Sequence, residues 1–257
     1  MNKVAKLIVL GSSAGIPQKE RGLSSIALDI VGKGVLLMDA GEGTQIMFNK
    51  AGLSLAKLNV VLITHLHGDH VFGLPGIIQT RSMMGVKKEL IVIGPGGIKE
   101  FISRVNELTR FKPGYRLNII EAPIELDLGY VTIKTFKTEH IVPSFGYVVN
   151  IHSRERNVKV VYTGDTSPAY NLNELGQDID VLIHDSTFHY ELSEEAHKYG
   201  HSTSRDAALI ANSVNAKVLI LHHISNRYLR NEELLLDDAR RFFRRVYIGK
   251  PLLTFIL

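Results

Sequence analysis

The sequence predicts an α/β protein built from two sheets covered by helices, and three observations lead there. Short runs of β-branched and leucine residues recur from end to end. Amphipathic segments with helical spacing lie between many of them. No proline-, glycine- or serine-rich linker divides the halves, and 257 residues suffice to bury a full core, so residues 1–257 read as one domain.

The elements follow in order. "KLIVLG", "SIALDI" and "GVLLMDAG" read as opening strands, the last ending on a glycine turn. "TQIMFNKAG" has helical spacing and a closing glycine suited to a C-cap. "NVVLITH" is a buried strand, and "VFGLPGIIQTRSMMG" a helix started or interrupted near Pro75. "ELIVIGPGG" is a strand and "IKEFISRVNELTR" an amphipathic helix. In the second half "VTIKTFKTEH" and "FGYVVNIHSRERNVKVVYTGD" read as strands, the latter folding back through a polar turn near Ser153 to Asn157. "IDVLIHDSTF" and "AKVLILHHIS" flank the helical "STSRDAALIANSVNA", and the helix-like "NEELLLDDARRFFRRVY" precedes a closing strand, "PLLTFIL".

Composition narrows the chemistry. Cysteine is absent, which excludes disulfides and thiolate metal sites, so any metal must sit on histidine and carboxylate. The apolar run at the start is too short to span a bilayer and reads as a first strand; a cytoplasmic protein with no membrane partner is the default expectation. A net charge of +4 permits a polyanionic partner without requiring one. Arg240, Arg241, Arg244 and Arg245 include spacings of three and four, which would put part of the group on one side of a helix.

The chemistry concentrates in "VVLITHLHGDHVFGLPG", Val60 to Gly76. His65 and His67, two apart, project on one side of an extended chain. Gly68 permits a turn that swings Asp69 and His70 back towards the same place. Four ligands are more than one catalytic zinc needs, since such a zinc takes three protein ligands and keeps a water; the surplus suggests two metals.

"THLHGDH" matches the signature of the metallo-β-lactamase superfamily, whose fold is a four-layer αβ/βα sandwich of two mixed sheets with metal at their edge. Further segments fall in the order seen in ribonuclease Z, the endonuclease that trims tRNA 3′ trailers. They are "GSSAGIPQKERG", "HIVPSFGY" at 140–147, "YTGDTSP" at 162–168, "HDSTF" at 184–188, "AHKYGHST" at 196–203 and "LILHHISNRY" at 219–228. The resemblance covers nearly the whole chain. "HxHxDH" specifies only the superfamily, whereas "GHST" together with "HHISNRY", similar to the family's "THFSxRY", points to ribonuclease Z.

The resemblance implies that His65, His67 and His140 hold one zinc, that Asp69, His70 and His223 hold the other, and that Asp165 bridges them. His223 aligns with the family's ligand and His222 takes its usual threonine position. His184 is not a ligand in the family and is expected to be buried and hydrogen-bonded. The implied function is a zinc-dependent endoribonuclease, a homodimer, that removes 3′ trailers from precursor tRNA by attack of a metal-activated hydroxide and leaves a tRNA 3′-hydroxyl. Asp69 is the expected general base. His201 is the expected proton donor, supported by Asp185 where the family has the glutamate of "HEAT". Arg227 suits phosphate. Ser144 and Gly146, with Ser12 and Ser13, are weaker expectations for substrate contact. Asp39 in "MDAGEG" is open to two readings, a turn-forming aspartate or a partner for the far nitrogen of a ligating histidine.

One departure stands out. Many bacterial relatives carry a long glycine- and proline-rich arm between the "GY" segment and "TGD", and this chain has room for little more than a hairpin there. Arg154, Arg156 and Lys159 could form a small basic replacement or a solvated turn. The departure keeps an alternative open, a related metal-dependent phosphodiesterase acting on cyclic nucleotides or small diesters. A nucleic-acid-binding protein with a lapsed site is a third reading.

Overall fold

The computed structural model describes residues 3–168 and 171–257. In chain order the strands are β1 (Ala5–Ser13), β2 (Gly22–Leu23), β3 (Ser25–Ile30), β4 (Gly34–Met38), β5 (Leu58–Leu62), β6 (Leu90–Gly94), β7 (Leu117–Glu121), β8 (Glu125–Asp127), β9 (Val131–Lys137), β10 (Phe145–Ile151), β11 (Val158–Tyr162), β12 (Val181–Asp185), β13 (Leu219–His222), β14 (Val246–Ile248) and β15 (Thr254–Ile256). The helices are α1 (Thr44–Lys50), α2 (Gly68–Val71), α3 (Leu74–Met83), α4 (Ile98–Leu108), α5 (Ser193–Lys198), α6 (Ser204–Ser213) and α7 (Glu233–Arg240).

The strands form two mixed sheets. The first runs β15-β1-β3-β4-β5-β6-β7 with β2 beside β1, and the second runs β14-β13-β12-β11-β10-β9-β8. Each sheet has an antiparallel part, β1/β3/β4 in one and β9/β10/β11 in the other, followed by parallel strands. Three apolar cores result. One lies between the sheets, where Leu28, Met38 and Leu62 meet Ile133, Val149, Tyr162 and Ile220. Another packs α6 and α7 on the second sheet, and the third packs α1, α3 and α4 on the first. Helices, sheet, sheet and helices make the four-layer αβ/βα sandwich that the resemblance implies.

The parallel strands β5, β11, β12 and β13 all end at one edge of the sandwich, where ligands collect in such sheets. β5 and β12 are buried along their length and β11 at all but Lys159, which is why they read as predominantly apolar runs. α6 begins on a capping box in which the Thr203 side chain accepts from Asp206 N–H and Asp206 returns the bond. Such a cap is worth about 1 kcal/mol and fixes the chain just after His201.

Two expectations need correction. The helix read over "NEELLLDDARRFFRRVY" ends at Arg240, because Val246 and Ile248 are buried and Tyr247 is exposed, the two-residue alternation of a strand, and they pair with β13 as β14. Arg241, Arg244 and Arg245 therefore lie beyond the helix and do not share a helical face with Arg240. The edge strands β7 and β8 also escaped the sequence reading: they are short and only half-buried, so neither carries a clean apolar run.

Candidate metal centre

The turn after β5 delivers the first ligands. The backbone leaves the strand at Leu62, and His65 and His67 point to one place before α2 turns Asp69 and His70 back towards it. His65 Nε2 lies 3.1 Å from His67 Nδ1. The second sheet supplies the others. His140 follows β9, and its Nε2 is 3.3 Å from His67 Nδ1. Asp165 follows β11, with Oδ1 3.3 Å from His70 Nε2 and Oδ2 3.2 Å from His223 Nε2. His223 follows β13 and lies 3.2 Å from Asp69 Oδ2. Ligand atoms of His65, His67, His140 and Asp165 all fall within 4.8 Å of one another, and so do those of Asp69, His70 and His223. The seven expected ligands thus meet, and Asp165 touches both groups.

The donor set fits divalent cations. His70 Nε2 and Asp165 Oδ1 are buried and make no hydrogen bond among the described residues, though they lie 3.3 Å apart. Two such atoms facing each other are costly unless something sits between them. Burial disfavours charge on His70, but Asp165 and Asp39 more than reverse this and raise it well above the ordinary imidazole value. Burial likewise pushes Asp165 up, and His223 and His70 bring it well below the carboxylate range. Burial lowers His65, His67 and His140, which keeps them in the neutral form that binds metal.

Four of the candidate ligands, Asp69, His70, His140 and His223, are held from behind. The Asp39 carboxylate accepts from His70 Nδ1 at 2.7 Å, from Thr64 N–H at 2.8 Å and from the Tyr162 hydroxyl at 2.7 Å. The histidine-partner reading of Asp39 is the one the geometry supports, although its φ of 54° shows that it also turns the chain. His140 Nδ1 donates to Gly200 O at 2.8 Å, His223 Nδ1 lies 2.9 Å from Thr187 Oγ1, and Gly15 N–H donates to Asp69 Oδ2 at 2.9 Å. Thr64, Tyr162, Thr187 and Gly200 were not singled out from the sequence. Each precedes or follows a motif residue, but none is unusual in its own position.

The remaining expected residues divide. His201 Nδ1 is 2.8 Å from Asp185 Oδ2, and its ring stacks 5.1 Å from His223. Burial disfavours the His201 cation, the Asp185 carboxylate outweighs it, and the group is raised to about 9. Asp185 is itself fixed by Thr166 N–H and by the Thr187 N–H and hydroxyl. The shorter arm of aspartate therefore reaches His201. Arg227 lies 4.8 Å over the Phe188 ring and pairs at 3.4 Å with Glu195, half-exposed at the rim. Ser144 and Gly146 have packing roles instead of open positions for substrate. The Ser144 hydroxyl bonds Thr138 Oγ1 at 2.6 Å, and a Cβ on Gly146 would meet the Phe136 ring at 2.1 Å. Ser12 bonds Gly249 O, and Ser13 bonds Ile16 O and Asn226, so both hold the loop behind Asp69. His184 is buried, with Nδ1 2.7 Å from Asp185 O. The connection at 152–157 is a short turn closed by Ser153; Arg156 is tied to Asp180, and Lys159 to Gln177 O.

Comparison with known proteins agrees with this geometry. The structure resembles the Bacillus subtilis metallo-β-lactamase-fold protein YhfI, with a TM-score of 0.81 and 23% identity over 99% of this chain. It also resembles the short form of human tRNase Z, with a TM-score of 0.84 and 28% identity over 98% of this chain and 99% of that one. The molecule is a metallo-β-lactamase-fold protein. Its sequence is 36% identical to a ribonuclease Z of Ignicoccus hospitalis over 99% of both chains, and 35% identical to one of Sulfolobus acidocaldarius over 98% of both. A family model described as "Anti-Pycsar protein Apyc1" matches residues 5–242. The chain belongs to the ribonuclease Z family and lies within the range of that model. The alignment with the Ignicoccus protein runs over 299 positions, more than the 257 residues here, so the relative carries insertions this chain lacks.

Proposed function

We propose that this chain is a tRNA 3′-processing endoribonuclease, a single-domain hydrolase that removes 3′ trailers from precursor tRNA with two zinc ions. Support comes from near-full-length identity to proteins named ribonuclease Z. The observation that carries the reading is the meeting of seven donors around the facing, unsatisfied His70 Nε2 and Asp165 Oδ1, next to the His201–Asp185 pair. His65, His67, His140 and Asp165 would hold one ion, and Asp69, His70, His223 and the shared Asp165 the other. Bound there, the ions supply Lewis acidity and a hydroxide nucleophile at neutral pH.

The chain's own groups do the rest. Asp69 is the carboxylate placed to take the proton of the attacking water; burial pushes its carboxyl up, but the nearby His223 and His70 outweigh this and keep it below the usual range, and so ionised. His201, held protonated by Asp185, gives a proton to the departing 3′ oxygen of the tRNA body. Arg227 at the rim pairs with phosphate in place of Glu195. Ile46 on α1, Met83 at the end of α3 and Met84 just after it are large exposed apolar side chains and suit a homodimer contact. No helix among the described residues is long and apolar enough to cross a membrane, and a cytoplasmic location is part of the proposal.

The short 152–157 turn favours a second reading, hydrolysis of small diesters such as cyclic nucleotides. A trailer-bearing precursor tRNA and a small aryl phosphodiester, each with and without chelator, separate the two. The proposal expects chelator-sensitive cleavage of the precursor, with a 3′-hydroxyl on the tRNA body. Turnover of the small diester with no cleavage of the precursor would overturn it.

A further inference from the structure

Tyr162 and His222 belong to the second sheet but reach the support of a ligand carried by the first. Both are buried in the core between the sheets, Tyr162 at the end of β11 and His222 at the end of β13. Tyr162 Oη is 2.7 Å from Asp39 Oδ2. A carboxylate only accepts, so the hydroxyl proton is committed to Asp39 and the Oη lone pairs face away from it. His222 Nε2 lies 3.4 Å from that oxygen, with the rings 5.4 Å apart and edge-on at 87°.

The tautomer follows. His222 Nδ1 is buried and has no hydrogen-bond partner among the described residues, so a neutral ring carries its proton on Nε2, where an acceptor waits. Proton directions are then fixed along the chain: His222 donates to Tyr162, Tyr162 donates to Asp39, and His70 Nδ1 donates to Asp39 at 2.7 Å. His70 Nε2 is left aimed at the proposed metal position.

We infer that Tyr162 and His222 are positioning residues for the metal centre, orienting Asp39 so that His70 presents Nε2 in ligating geometry. The inference rests on the proposed metal centre. It also gives the buried His222, whose Nε2 faces the Tyr162 hydroxyl, a role in that support.

A control is built into the same core. Tyr147 is also fully buried between the sheets, but its hydroxyl donates to the backbone oxygens Ile63 O and Ile93 O at 2.7 and 3.3 Å instead of to Asp39. Tyr162→Phe and Tyr147→Phe each remove one buried hydroxyl. The test measures zinc affinity by chelator competition and, separately, the melting temperature of the metal-free protein. Tyr162→Phe is expected to weaken the binding of one of two ions by about 10-fold, within the range for such supporting groups. Both variants should lower the melting temperature of the metal-free protein to a similar extent, and Tyr147→Phe should leave zinc affinity unchanged. His222→Leu should weaken zinc by a smaller factor, and His222→Gln, which keeps a donor, should restore it. Equal affinities in Tyr162→Phe and the unsubstituted protein, or identical behaviour of the two tyrosine variants, would overturn the inference. Failure of the unsubstituted protein to bind zinc at all is a separate result, and it overturns the metal centre itself.

Discussion

His65, His67, Asp69 and His70 leave β5 together in one turn, whereas His140, Asp165, Asp185, His201 and His223 reach the same cleft along five separate stretches of the second half. The first group is placed by local geometry: a strand end, a glycine and a four-residue helix. The second exists only when β9, β11, β12 and β13 are in register, because each residue follows a different strand or precedes a different helix. The two groups depend on each other. Gly15 and Thr187 brace ligands from loops at the edge, and Asp39 receives bonds from both sheets. A site shared in this way has half of its donors preformed locally and half set by the packing between sheets.

The two halves of the site meet at one carboxylate. Asp165 belongs to one donor group and touches His70 and His223 of the other, so Asp165→Ala should reduce hydrolysis of precursor tRNA and small diester alike to background and lower the metal content on elemental analysis. A variant that kept its metal and its rate would show that the halves act independently. Next in size is His201→Ala, expected to lower kcat on precursor tRNA by ~10²–10⁴-fold, the range for loss of a general acid. It should spare an aryl diester whose leaving group needs no proton. The sign of the pH effect follows from the ion pair. His201 is raised to about 9, so activity that needs its proton should fall as pH rises through about 9. Asp185→Asn removes the carboxylate that raises it, and should move that alkaline limb to lower pH.

The second-half ligands can be tested singly. Gly200 has φ of 74°, and a Cβ there would lie 2.8 Å from His140 Nδ1. Gly200→Ala should displace His140 and weaken zinc by ~10-fold, a typical cost of disturbing a ligand's support. Because His70 belongs to the other group, the second ion should stay bound. Arg227→Ala carries the smallest expected effect, about a 10-fold loss in kcat/KM for precursor tRNA, as for one charged hydrogen bond. The rate on a small diester should not change.

The same division explains what could be read in the sequence. The "THLHGDH" turn was legible from residue types alone, since four ligands crowd the end of an apolar run. His140, Asp165 and His223 are single polar residues in ordinary surroundings, and only the resemblance brought them together. The choice between His222 and His223 has a physical basis visible afterwards. His222 continues the alternation of β13, sharing a face with Ile220 in the inter-sheet core, while His223, at φ 56°, turns out of the strand into the cleft. Most strands and helices were legible because buried parallel strands leave long apolar runs. β7, β8 and β14 were not, being short, at or near a sheet edge, and only partly apolar. The hydroxyls behind the ligands were invisible for another reason: threonine and tyrosine are common near strand ends, and their roles depend on contacts across the chain.

The most direct test of the account is elemental analysis of the purified protein, read alongside the rate of precursor tRNA cleavage during chelation and zinc return. The account predicts two zinc ions per chain, loss of cleavage as they are removed, and recovery when they are restored. Full cleavage by a protein stripped of metal would contradict it.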